Sequence, residues 1–558
     1  MPCVFSCFTI CLIVTFLGLL YNHPMANYIV KTKTKENITT NILTGAQKLI
    51  HTLESVGVEY IFGYPGASVL PVYNELSHSK INHILCRHEQ GAIHSAEGYA
   101  RIKGKAGVVL VTSGPGFSNT MTGILNAYSD KTPLVVITGQ AENLHNNEFQ
   151  SADIINIAKS CTKKCYAVNN AAEIEMILNK AFLNSQKTPC GPVVVTVTKS
   201  VLESGINENI SYKIRKEIKV EASHSCVLRA IETLKSAKRP LIIAGGGCRY
   251  IENELTEFAY LTHIPVVNTL MGKDSCSNIS LGLIGQSGDK ALNDYIEKSD
   301  VVLALGVRFS NKTTNNKKFL PNSKIISINA EKIVSDNVKL EKEFTGELEV
   351  ILQQIIGVIK AKNILFDIKY DWLESIPQKY DLIKNDNKQD YIISLISEYS
   401  KKYNPIVSTD VGEHQISAVK NFRTKTSKKF LTSGGFGTMG YGLPSAIGAH
   451  FAQPNSLILN LTGDGSFQMN MQELGTVSEY NIPLKIFILN NSSLGMIETT
   501  QRKNYNNTYQ SSLINPDFKK IAESYGIQGY TIRTTEELES ALKEIFKYKK
   551  AVLLDIKI

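Results

Sequence analysis

Short apolar runs rich in Val and Ile recur along the chain, each followed by a longer stretch of mixed polarity. The first group includes GVVLVTSGPG (107–116), TPLVVITGQ (132–140) and GPVVVTVTK (191–199). The second holds RPLIIAGGG (239–247), SDVVLALGVRF (299–309) and SKIISINAEK (323–332). The third holds NPIVSTDVG (404–412), SLILNLTGDG (456–465), LKIFILNN (484–491) and AVLLDIKI (551–558). These runs are continuously apolar rather than alternating, as strands of a parallel sheet covered on both faces must be. Helix-like stretches between them complete βαβ units. The pattern predicts an α/β protein of three doubly wound parallel-sheet domains, at 40–205, 220–360 and 385–558. A polar stretch near Ser204–Ala222 and a charged one over Lys360–Gln389 act as linkers.

The stretch LTGDGSFQMNMQELGTVSEYNIPLKIFILNN (461–491) reads as strand, turn, helix, strand. In such a unit Asp464 and Asn491 fall at the same end of neighbouring parallel strands. Ligands of open α/β sheets bind beyond the carboxyl ends of the strands. A carboxylate and a carboxamide oxygen there form a hard donor set suited to Mg²⁺, which shares its shell with phosphates. Gly463 and Gly465 let backbone N–H groups approach those phosphates. The expected ligand is therefore a Mg²⁺-bound diphosphate.

Composition narrows the field. With 558 residues, 43% hydrophobic and 20% charged, the chain has the make-up of a soluble protein. The net charge of +9 is spread without a basic stripe or interleaved aromatics, which argues against nucleic acid as a partner. Ten cysteines include no C-x-x-C pair, so free thiols in a reducing compartment are expected. One segment stands apart: Cys3–Tyr21, within residues 1–24, carries no charge and is long enough to span a bilayer. It reads either as an anchor that leaves the catalytic body cytoplasmic, or as an extension upstream of a start at Met25.

From about Asn41 the chain resembles the thiamine-diphosphate enzymes, and within them the catalytic subunit of acetolactate synthase. The matches are YIFGYPGASVLPVY, CRHEQGAIHSAEGYARIKGKAGVVLVTSGPG, NEFQSADI, TLMG, STDVGEHQ, GGFGTMGYGLPSAIGA, GDGSFQMNMQEL and NNSSLGM, in order through all three blocks. The resemblance implies decarboxylation of pyruvate and transfer of the two-carbon fragment to a second 2-keto acid, giving 2-acetolactate. It implies that Glu89 hydrogen-bonds the cofactor's aminopyrimidine and takes part in proton transfer. Pro65 and Gly66 are expected beside it, and Met439, flanked by Gly437, is expected to prop the cofactor in a bent shape. Val411, Glu413, His414, Ser466, Leu494, Gly495 and Met496 are expected near the cofactor. Asp464, Asn491 and the Ser493 carbonyl are expected to hold Mg²⁺. Gln150 and Lys199 match positions lining the substrate channel. FAD is implied for the middle domain, at Lys159, Gly245, Gly246, Gly247, Thr269, Leu270, Gly306, Arg308, Asn329 and Asp336. A homodimer or homotetramer, with Glu89 and the GDG segment meeting from different subunits, and a small regulatory subunit are also implied.

The departures from the family pattern cluster outside the cofactor core. Ala67 and Glu413 stand where the family has Gly and Gln. Thr500 replaces a tryptophan, and Asn311-Lys312 replace Asp-Arg, which removes a bidentate clamp for a carboxylate. Around the flavin site Gln286-Ser287, Asn329 and Lys159 replace Met-His, an acid and an arginine. The chain stops at LLDIKI, short of the family's C-terminal arm. These changes leave room for another acceptor such as a sugar aldehyde or ketone, for 2-hydroxyacyl-CoA lyase chemistry, or for a non-catalytic regulatory relative.

Overall fold

The computed structural model describes residues 30–32, 42–144, 148–206, 211–213, 221–276, 278–377 and 388–558. The hydrophobic segment at 1–24, Met25 and much of both predicted linkers lie outside the described residues. Among the described residues no helix is long and apolar enough to cross a membrane.

Three six-stranded, all-parallel sheets account for the three blocks. The first contains β1 (Tyr60–Gly63), β2 (Asn82–Leu85), β3 (Gly107–Val111), β4 (Leu134–Gln140), β5 (Lys164–Val168) and β6 (Pro192–Thr198), in the order β2-β1-β3-β4-β6-β5. The middle sheet contains β7 (Pro240–Ala244), β8 (Val266–Asn268), β9 (Ser280–Leu283), β10 (Val301–Leu305), β11 (Lys324–Asn329) and β12 (Leu340–Thr345), in the order β9-β8-β7-β10-β11-β12. The third contains β13 (Ile406–Thr409), β14 (Phe430–Leu431), β15 (Ile458–Gly463), β16 (Lys485–Asn490), β17 (Gln528–Ile532) and β18 (Val552–Lys557), in the order β14-β13-β15-β16-β18-β17. The first and third sheets thus share one topology, and the middle one has the 3-2-1-4-5-6 order of dinucleotide-binding folds. Strand order reverses between β1 and β3, between β7 and β10, and between β13 and β15. Those reversals are where crevices open for ligands.

The central strands are buried on both faces, as their unbroken apolar runs require: β3, β7, β10, β13 and β16 have every residue buried. Two helices join the first and third domains. Helix α1 (Glu89–Lys103) follows β2, and helix α4 (Gly442–Ala452) precedes β15. They cross backbone against backbone. A Cβ added at Gly98 would overlap the Ser445 carbonyl, and one at Gly448 the Ser95 carbonyl. Glycine is needed at both positions because the approach leaves no space for a side chain.

Candidate active site

The carboxyl ends of β1 and β3 gather one group of predicted residues. Glu89 opens α1, whose N-cap is His88; the His88 ring accepts from the Gln90 N–H at 3.0 Å. The Glu89 carboxylate accepts from Asn119 Nδ2 at 3.0 Å and faces Gly116, where an added Cβ would lie 3.5 Å from Oε1. Thr112, just past β3, packs on Gly66 and shares a 2.8 Å hydrogen bond with the Ser68 hydroxyl. Gln150, in left-handed backbone at φ 59°, packs on Gly114 and lies 3.5 Å from the Thr112 hydroxyl. Glu89, Gly66 and Gln150 are therefore brought together, with exposed Pro65 at the rim. Lys199 is not brought into that group. It opens the short helix after β6, pairs with Glu203 at 3.6 Å, and lines a surface cavity of about 340 Å³ with Leu70 and Asn74.

The carboxyl ends of β13, β15 and β16 gather a second group. Gly463 pairs with Leu489 in the ladder, so Asp464 and Asn491 do leave the sheet side by side. Asp464 begins a helical turn, Asp464–Phe467, rather than a bare loop. Its buried carboxylate accepts from the Gly465 and Ser492 N–H groups at 3.0 and 2.8 Å and from Asn515 Nδ2 at 2.6 Å; burial still raises its pKa. Asn491 Oδ1 accepts from the Ser493 N–H at 3.0 Å. Two helices start here, α3 (Glu413–Asn421) and α5 (Gly495–Tyr505). Their first N–H groups have no acceptor within the helix, so both ends favour anions. Ser466 donates to the Val411 carbonyl at 3.0 Å. The His414 ring packs on Gly412 and Gly463, is pushed down to a pKa of about 4 by burial, and leaves Nε2 buried without a partner. Met439 and Leu494 close over Gly465.

These observations fit a metal-bound diphosphate. The orphaned His414 Nε2 calls for a polar ligand. Carboxylate, carboxamide and carbonyl oxygens at Asp464, Asn491 and Ser493 are a hard donor set suited to Mg²⁺. Among the described residues no group of three His, Cys, Asp or Glu side chains forms an alternative metal site.

Several residues of the site escaped the motif reading. Asn515 ties Asp464 to Asn490, and Asn490 in turn donates to Asp555 at 2.8 Å. A buried acid inside the apolar run of β18 was the signal for that link. The loop carrying Met439 is fixed from both sides. Asp410 accepts from the Gly440 N–H at 2.8 Å. Across the domain boundary Asp130 accepts from Gly434 and Gly435, and Asn126 joins Ser433 and Thr438 to Glu97 of α1. Asn126 and Asp130 lie on α2 (Met121–Asp130).

In the middle domain the predicted glycines meet at the switch point. Gly245 donates to the Leu305 carbonyl, and Gly247 packs on Gly306 backbone to backbone. Thr269 caps the turn containing Leu270, and Asn329 donates to the Val307 carbonyl at 2.7 Å. Arg308 reaches across to the Ser129 carbonyl. Lys159 and Asp336 are exposed, Lys159 in the first domain and Asp336 in the loop after β11.

Comparison with known proteins agrees with this layout. Residues 43–157 match the N-terminal TPP binding domain of thiamine pyrophosphate enzymes, 227–355 their central domain, and 410–556 their C-terminal TPP binding domain. The chain is 36% identical over 542 residues to an acetolactate synthase large subunit of Haemophilus influenzae, covering 92% of this chain and 94% of that protein. It is 38% identical over 553 residues to a probable acetolactate synthase large subunit of Methanococcus aeolicus, covering 92% of each. Against the isozyme 3 large subunit of Escherichia coli it is 35% identical over 532 residues, covering 90% of this chain and 92% of that one.

Proposed function

The chain belongs to the thiamine pyrophosphate enzymes and, within them, to the acetolactate synthase large subunits; from that premise we propose that it decarboxylates pyruvate and joins the remaining two carbons to a second 2-keto acid. When bound, thiamine diphosphate supplies the electron sink that the decarboxylation needs. Asp464, Asn491 and the Ser493 carbonyl would hold Mg²⁺, and the N-termini of α3 and α5 would receive the diphosphate. His414 offers its free Nε2 to the cofactor. Glu89, oriented by Asn119, holds and moves a proton at the cofactor's aminopyrimidine nitrogen. Met439 would pack against the bound cofactor, and the fixed loop around it keeps that side chain in place.

The observation that carries this reading is the pairing of Asp464 with Asn491 and Ser493 at adjacent strand tips, beside two helix N-termini and the unpartnered His414. The Glu89 group and the Asp464 group form at the carboxyl ends of two different sheets, and no hydrogen bond joins the two carboxylates. Each is rimmed by exposed apolar side chains, Phe149 on the first and Met496, Ile497 and Ile514 on the second. Those exposed apolar rims support a homodimer in which a second copy would cover them and pair the two half-sites. The switch point at Gly245, Gly247 and Gly306 supports FAD in the middle domain. The relatives' description as large subunits supports a small partner subunit. The seven described cysteines are free, which suits a cytoplasmic setting.

The test supplies pyruvate, thiamine diphosphate and Mg²⁺ to the purified chain, with and without FAD. One acetolactate per carbon dioxide is expected, and Glu89→Gln should lower turnover by about 10²-fold or more. Carbon dioxide without acetolactate would move the reading to another acceptor, such as a sugar aldehyde. Full turnover by Glu89→Gln would remove Glu89 from the mechanism.

A further inference from the structure

One carboxylate stands where an anionic ligand is expected. Glu413 is the first residue of α3, and its side chain crosses to the start of α5. A Cβ built on Gly495 would lie 2.7 Å from the Glu413 Cδ and 3.0 Å from Asn491 Nδ2. The carboxylate therefore fills the space that glycine leaves open at the N-terminus of α5. Its hydrogen bonding is slight, a 3.4 Å contact from the Thr499 hydroxyl at an exposed position. Asp464, at the neighbouring strand tip, is by contrast held by two backbone N–H groups and the Asn515 amide. Asp464 is built in; Glu413 is only parked.

Resting on the diphosphate site proposed above, we infer that Glu413 makes this cradle selective for the metal complex of the cofactor's diphosphate over metal-free anions. Two helix N-termini alone attract any phosphate-bearing anion. A resident carboxylate offsets that attraction and repels a bare diphosphate, since like charges a few ångströms apart in a partly buried site interact strongly. The divalent cation reverses the balance. Held between Asp464, Asn491 and the diphosphate, it is attracted by the same carboxylate. Glu413 thus weakens binding of the free anion while leaving that of the metal complex favourable. A neutral side chain of equal size would keep the shape and lose the discrimination.

The experiment is calorimetric titration of the full-length chain and of Glu413→Gln with thiamine diphosphate, once in excess Mg²⁺ and once in EDTA. The ratio of affinity in Mg²⁺ to affinity in EDTA should be at least tenfold larger for the wild-type protein than for Glu413→Gln, and the gain of the variant should appear chiefly in EDTA. Inorganic diphosphate should show the same pattern. Glu413→Ala, which removes charge and bulk together, should shift the EDTA affinity in the same direction, which separates charge from any packing fault of the glutamine. An unchanged metal-to-EDTA ratio in both variants, or weaker EDTA binding, would overturn the inference. Failure of the wild-type protein to bind thiamine diphosphate even with Mg²⁺ would instead overturn the cofactor reading itself.

Discussion

Glu473 is fully buried between the first and third domains, and its charge state should be legible in the stability of the whole molecule. Its carboxylate accepts from the backbone N–H groups of Arg87 and His88, at 2.9 and 3.1 Å, and from the Thr476 hydroxyl at 2.6 Å. These two N–H groups belong to the turn that presents Glu89. Burial outweighs the three hydrogen bonds and pushes the pKa up from 4.5 to about 7. A carboxyl whose folded pKa is raised binds more protons in the folded state than in the unfolded one. Its contribution is present below the unfolded value and is lost as pH rises through the folded value. At 1.36 kcal/mol per unit, the whole loss is about 3 kcal/mol, most of it falling between roughly pH 5 and pH 8. Glu473→Gln copies the protonated form: its carbonyl oxygen accepts from both N–H groups, and its amide donates to Thr476. The assay is the urea midpoint of wild type and variant across that range, compared as a difference so that other titrating groups cancel. The variant should gain on the wild type by about 2 kcal/mol or more from pH 5 to pH 8. Parallel curves would refute the assignment.

Two further outcomes follow from the geometry. Gly448→Ala places a methyl on the Ser95 carbonyl; separating two backbones costs at least the 1–3 kcal/mol usual for overpacking, read as a lower thermal midpoint, and an unchanged midpoint would mean the crossing is looser than described. Asp464→Asn should raise the Mg²⁺ concentration for half-maximal activity tenfold or more while leaving the fold intact by circular dichroism, and an unaltered metal requirement would remove Asp464 from the metal site.

The sheets were legible because strands buried on both faces are written as unbroken apolar runs, and β3, β10 and β16 are cases of this. The approach of Asp464 and Asn491 follows from parallel pairing, since the register Gly463–Leu489 brings the two strand ends within one residue of each other. What the sequence concealed were links between residues distant along the chain. Asn126 to Ser433 spans 307 positions and Glu473 to Arg87 spans 386. Neither pair has a local signature; each is a polar side chain in a helix until another domain arrives to satisfy it. Lys199, whose place at a strand end matched a channel position, opens a short helix and pairs there with Glu203, a local contact that motif matching does not foresee.

The glycine crossing of α1 and α4 has a mechanical consequence. Layers of side chains can slide by exchanging rotamers, but two backbones in contact have nothing to exchange. Shear between the first and third domains is therefore blocked at Gly98 and Gly448, and the clasp at Glu473 pins the same boundary at its end. Apolar side chains that face outward lie elsewhere, on α5 at Met496 and Ile497 and in the turn at Phe436. At that boundary the two domains can change only as one body.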